Sequence, residues 1–122
     1  MTPERKARLE AAGIDVDALS ERVMGSEALM ERLLGKFAAS RDYPALAAAL
    51  EEGGRERACA AAHTLKGVCG NLSMDGLYAL FTAQVEALRR GDMDEAARLM
   101  AEIAPAWEAA AAAIGDNGDG AR

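Results

Sequence analysis

The chain has 122 residues, 51% of them hydrophobic but only 4% aromatic, and a formal net charge of −6. That length argues for one domain able to bury its own core, and the acidic balance argues against a broad nucleic-acid face, which would be basic. No apolar run approaches the roughly 20 residues of a membrane span, and Met1-Thr2-Pro3-Glu4-Arg5-Lys6 lacks the apolar core of a secretory signal.

Alanine and leucine dominate and β-branched residues are few, which favours helix over sheet throughout. Thr2-Pro3-Glu4 is a helix start, with a capping hydroxyl, proline at the first helical position and then an acid. That helix is expected to end near Gly13. A second short helix follows Asp15 and carries Val16, Leu19 and Val23 inward; Met24-Gly25-Ser26 breaks it, and Ser26 can cap the next. From there Leu29, Met30, Leu33, Leu34 and Phe37 keep the helical period, which Leu46, Ala49 and Leu50 resume after Asp42-Tyr43-Pro44. The spacing predicts one long helix from Ser26 to about Glu52, kinked or restarted at Pro44.

Gly53-Gly54 is a turn, and a helix from about Arg55 to Leu72 carries the only histidine, His63. The next helix starts at Ser73 or Met74 with Leu77, Leu80, Phe81 and Leu88 on one stripe, and ends near Arg89-Arg90, where cations suit the dipole. After the Gly91-Asp92 turn a last helix bears Ala96, Leu99, Met100, Ile103, Trp107, Ala110 and Ile114, with a kink expected at Pro105. Residues 1–114 thus form a single all-α domain, an antiparallel four-helix bundle with the short N-terminal helices capping one end. Residues 115–122, rich in Gly and Asp, are expected to be a disordered tail.

The stretch around His63 is the most informative in the chain. Stepping about 100° per residue from His63 puts Leu65, Val68 and Leu72 near 200°, 140° and 180°, with Ala58 and Ala61 on the same far side. The core pole therefore lies opposite the imidazole. On the same scale Lys66, Gly67 and Gly70 fall at about −60°, +40° and −20°, so His63 shares its face with one cation and two glycines. Each of these glycines costs roughly 1 kcal/mol relative to alanine in a helix interior. Their presence beside His63, in a chain that elsewhere uses alanine, predicts close approach of another body to the backbone. That body is either a docking partner or a neighbouring helix.

A neutral imidazole nitrogen is nucleophilic near pH 7, since the reference pKa of histidine is about 6.5. Its outward nitrogen, taken as Nε2, can attack phosphorus, and Lys66 can offset charge on the phosphoryl oxygens. The chain has no Gly-rich phosphate loop and no carboxylate cluster for Mg²⁺ on the His63 face, so the metal and the acid–base groups are expected from a partner. The inner imidazole nitrogen wants a partner of its own. Gln84, an amide in the middle of an apolar stripe, is a candidate, as is Glu86 one turn on. The alternative is that Gln84 bonds a backbone carbonyl.

His63-Thr64-Leu65-Lys66-Gly67 followed by Gly70-Asn71-Leu72 resembles the motif of histidine-containing phosphotransfer (HPt) domains. The resemblance spans roughly Ile14 to Ile114 and includes Tyr43-Pro44 and Gly91-Asp92. It implies a four-helix bundle with His63 as phosphoacceptor and Lys66 and Gly67 in support. It also implies exchange of phosphoryl groups with aspartates of response-regulator receiver domains, often from a hybrid sensor histidine kinase. Such receivers bring their own Asp and Mg²⁺, so no cofactor is expected on this chain, and the family favours a monomer. Three positions depart from the family pattern. Ser73 stands where glycine is common, Val85 where a Glu or Gln is common, and Pro105 is unusual. Chemotaxis-kinase phosphoacceptor domains also belong to this family, but none of their dimerisation or ATP-binding regions is evident, so a stand-alone phosphocarrier without its own ATP site is expected.

Other readings are weaker. With no export signal, Cys59 and Cys69 read as reduced thiols and the expected location is cytoplasmic. Cys59 lies one turn before His63, but two ligands do not make a zinc site. Cys69 falls toward the core and reads as packing. Arg55, Arg57, Arg89 and Arg90 are either solvated surface or help dock an acidic partner. A phosphate-independent interaction module and a fragment of a larger hybrid or chemotaxis kinase stand as alternatives. A metal-dependent enzyme is disfavoured, because one histidine cannot build a di-metal bundle site.

Overall fold

A computed structural model describes residues 1–116. The helices are α1 (Pro3–Ala11), α2 (Val16–Arg22), α3 (Glu27–Ala38), α4 (Asp42–Glu52), α5 (Arg55–Asn71), α6 (Asp75–Arg89) and α7 (Met93–Gly115). Helix α5 packs between α4 and α6, α6 packs on α7, and α3 and α4 close back onto α7, completing the bundle. The small helix α1 lies against α7 and α2. Residues 117–122, most of the expected tail, lie outside the described residues, while Gly115 is still the last helical residue of α7.

Local chemistry accounts for most boundaries. The side chains of Thr2, Asp15, Ser26 and Asp92 accept from the backbone N–H three residues on, so α1, α2, α3 and α7 begin where a cap oxygen is available. The long helix expected from Ser26 to Glu52 is restarted rather than kinked, and the break falls upstream of Pro44. Helix α3 is capped at Ala39, and the Ser40 hydroxyl accepts from Asp42 N at 3.1 Å, turning the chain before α4 begins. Pro44 is then the third residue of α4, where a missing N–H costs nothing because the first four have no intrahelical acceptor. Pro105 is tolerated inside α7 on its exposed side, where Ala101, whose carbonyl it cannot satisfy, also faces solvent.

The end of α5 explains one departure from the family pattern. Its last turn closes with Ser73 N donating to the Gly70 carbonyl at 3.2 Å and Met74 N donating to the Cys69 carbonyl at 2.9 Å. That geometry places the residue after the cap in the left-handed region, and Ser73 sits at φ 57°. Glycine reaches this region without a Cβ penalty, which accounts for its frequency at this position. Here Ser73 bears the penalty, and its buried hydroxyl oxygen has no hydrogen-bond partner among the described residues. Ser73→Gly is expected to stabilise the fold by about 1 kcal/mol, read by urea denaturation. The bond from Asp15 N to the Ser73 carbonyl uses only backbone and survives the change. An unchanged or lower midpoint would show that the serine is accommodated without strain.

Two clusters hold the bundle. The aromatic one centres on Trp107, with Phe37 at 4.0 Å, Tyr43 stacked at 4.3 Å and Phe81 edge-on at 6.3 Å between ring centroids. The polar one is Arg5, which is buried. It donates to Glu31 at 2.9 and 2.7 Å and to the carbonyls of Ala113, Ile114 and Asp116 at the end of α7. One guanidinium thus ties α1 to α3 and satisfies carbonyls that the last turn of α7 leaves without donors.

Candidate functional site

His63 is the ninth residue of the seventeen in α5 and is exposed. Beneath it Ala58, Ala61, Ala62, Leu65 and Cys69 are buried. The buried arc is wider than one pole because α4 and α6 flank α5 on both sides. What remains open is a strip of Ala60, His63, Thr64, Gly67 and Asn71, with Cys59, Lys66 and Gly70 half-exposed on the flank toward α6. Among the described residues none hydrogen-bonds the imidazole, so both ring nitrogens are available to solvent or a partner.

The two glycines have different surroundings. A Cβ built on Gly67 meets nothing within 4 Å, so the backbone one turn from His63 is open to an incoming surface. A Cβ on Gly70 would lie 3.0 Å from Cδ1 and 3.1 Å from Cε1 of Tyr78. The space at Gly70 is therefore taken within the chain by a ring from α6. Lys66 reaches toward that ring, its Nζ 5.9 Å from the Tyr78 centroid.

Gln84 does not reach His63. It is fully buried and its Nε2 donates to the Ala96 carbonyl of α7 at 2.9 Å, while its Oε1 has no partner among the described residues. The rotation of α6 that buries Phe81 and Leu88 also buries Gln84 and turns its amide onto α7. Glu86 is exposed on α6 and makes no ion pair with His63 within 4.0 Å. Val85, at the position where the family often has Glu or Gln, is buried.

Cys69 is buried, and desolvation pushes its thiol pKa up to about 12, so it stays protonated and packs as a small apolar group. Cys59 is half-buried. Among the described residues no group of three or more His, Cys, Asp and Glu side chains comes together around a metal-sized space. Three of the four arginines near this end of the bundle are engaged within the chain. Arg55 donates to the Leu88 carbonyl at 3.1 Å, Arg57 pairs with Glu52 at 2.8 Å and Arg90 with Asp92 at 3.7 Å. On the α3 side of α5, Leu33, Phe37, Val68 and Leu72 line an apolar pocket of about 240 Å³, rimmed by Lys36, Ser40, Asp42 and Asn71.

Sequence reasoning missed Tyr78. The available signal was an aromatic placed off the Leu77, Phe81 and Leu88 stripe, which a one-helix wheel does not relate to Gly70.

The chain is thus an α-helical bundle that displays its one histidine at mid-helix, with a lysine and an open glycine on the following turn. The Hpt domain family model matches residues 38–116, more than half of the chain, and the protein belongs to the Hpt domain family. Hpt domains are phosphocarrier modules of phosphorelay signalling, which interact with receiver domains and kinases of two-component systems. The matched span begins at the end of α3, so it is narrower than the Ile14 to Ile114 stretch suggested by the motifs. No curated protein and no solved structure matches the chain. No helix among the described residues is long and apolar enough to cross a membrane.

Proposed function

We propose that His63 takes a phosphoryl group from a receiver-domain aspartate, or from a hybrid sensor histidine kinase, and passes it to the aspartate of another receiver. The observation that carries this reading is the exposed imidazole, bonded to none of the described residues, beside the open backbone of Gly67. In the forward step the lone pair of the outward ring nitrogen, taken as Nε2, forms a bond to phosphorus. The bond from phosphorus to the aspartate oxygen breaks, and the carboxylate leaves with that electron pair. The proton on the other ring nitrogen stays or passes to water. The reverse of these events delivers the group to the next receiver.

Lys66, on the same face, offsets charge on the phosphoryl oxygens. The receiver supplies the aspartate and Mg²⁺, and ATP is used on the upstream kinase. The pocket between Leu33, Phe37, Val68 and Leu72 opens beside Asn71 and offers apolar contact at the edge of the docking face. A monomeric carrier in the cytoplasm fits these roles.

The test mixes the protein with a phosphorylated receiver and follows the phosphate. An acid-labile, base-stable label on the chain is the expected result. No label from any phosphorylated receiver of the same organism would leave a binding-only module in its place.

Gly67→Leu separates folding from docking. The substituted position is open and glycine is a poor helix former, so the variant is expected to be more stable by up to about 1 kcal/mol. Transfer from a phosphorylated receiver is expected to fall by roughly tenfold or more, because a branched side chain now stands between the partner and His63. Chemical melts and transfer rates on the same preparation check both halves. Wild-type transfer would mean that no partner approaches over Gly67.

A further inference from the structure

The chain contains five aromatic residues. Phe37, Tyr43, Phe81 and Trp107 form the core cluster. Tyr78 stands apart on the surface of α6 and is 41% exposed. Its ring lies against the backbone of α5 at Gly70, close enough that even a Cβ there would press on it at 3.0 Å. The same ring carries the Lys66 ammonium near the outer limit of a cation–π contact, about 6 Å. Two features of the His63 face, a helix-weakening glycine and a lysine, are thereby joined by one side chain that the core does not require.

We infer that Tyr78 is a positioning residue for phosphoryl transfer, and that Gly70 is small so that its ring can reach Lys66. The inference rests on the reading of His63 as phosphoacceptor. A free lysine spreads its ammonium over many rotamers and loses that freedom when it closes on a phosphoryl group. The ring face confines Nζ to the α6 flank of His63 beforehand, so less freedom is lost in the transition state. The contact is weak and solvent-exposed, so the doubly charged phosphoryl group outcompetes the ring when it arrives. Lys66 touches only the phosphoryl oxygens, while Tyr78 touches neither substrate nor reacting atoms.

Phosphoramidate is a suitable donor because it needs no docking partner. The His63 nitrogen forms the new bond to phosphorus, the P–N bond of the donor breaks, and ammonia departs with its electron pair. Tyr78→Leu keeps an apolar cover over Gly70 but removes the π face, and is expected to slow labelling about 2- to 5-fold. Tyr78→Phe, which keeps the ring, is expected to restore the wild-type rate. In a Lys66→Ala background Tyr78→Leu is expected to have no further effect. The Lys66 Hε resonances report the contact directly. They should be shifted upfield by the ring in wild type and Tyr78→Phe, and not in Tyr78→Leu.

Equal rates for the Leu and Phe variants would overturn the inference. So would an undiminished effect of Tyr78→Leu without Lys66, or Hε shifts that ignore the ring. Wild-type protein that takes no phosphate from phosphoramidate or a phosphorylated receiver is a different result: it removes the phosphocarrier reading itself, and Tyr78's role in transfer with it.

Discussion

His63→Gln is expected to take up no phosphate from a receiver or from phosphoramidate, while unfolding within about 0.5 kcal/mol of wild type. The chain has no second histidine to substitute for it. Glutamine is polar and of similar reach, but its nitrogen lone pair is delocalised into the amide and does not attack phosphorus. The fold should not register the change, because the imidazole is exposed and bonds no described residue, so nothing buried loses a partner. Intact-mass measurement for the added phosphoryl group and a urea melt on the same sample read the two halves. Label retained in the variant would move the acceptor elsewhere, with Cys59, one turn away and half-buried, as the first nucleophile to examine. A large loss of stability would mean that the imidazole has a structural role.

The orientation of His63 was legible because it depends on one helix. Five buried residues on α5 define the core side, and any residue opposite them must face out. The same reasoning failed to separate Gly67 from Gly70, because what fills the space above a glycine belongs to another helix. Tyr78 reaches Gly70 only through the packing of α6 on α5, which has no local signature. Gln84 shows the same limit. The sequence marks it as a buried amide needing a partner, but whether that partner is an imidazole on α5 or a carbonyl on α7 depends on how α6 is rotated between the two. The break between α3 and α4 was placed too late, at Pro44. The interruption is made by the Ser40 hydroxyl, and Pro44 falls in the first turn of the next helix. Ser73 could be seen as a departure from the family pattern, but its cost became visible only in its left-handed backbone.

Trp107→Ala is expected to cost about 3–5 kcal/mol, a large share of the roughly 5–15 kcal/mol that holds a domain of this size together. The indole is buried and touches rings from three other helices, Phe37 of α3, Tyr43 of α4 and Phe81 of α6. Its removal leaves a cavity at the point where α7 meets the broken α3–α4 arm. Each ring pair adds about 0.5–1.5 kcal/mol beyond simple burial, so Trp107→Phe, which keeps a ring but not the full indole, should recover a substantial part of the loss. Far-UV circular dichroism is the measurement of choice, since the chain's only tryptophan is the residue being changed. A fall in melting temperature on the order of 10–20 °C is expected for the alanine variant. Below that transition His63 should still be phosphorylated, because the rings that Trp107 packs against, Phe37, Tyr43 and Phe81, lie on α3, α4 and α6 and not on α5. A loss under about 1 kcal/mol would show that the neighbours collapse into the vacated space, as cores with adaptable side chains can. The two outcomes also bear on the phosphocarrier reading. If folded Trp107→Ala protein lost phosphate acceptance in parallel with its melting, acceptance would depend on the whole bundle being folded. If acceptance vanished well below the transition, the core cluster would be coupled to the His63 face through α4 and α6, the two helices that grip α5.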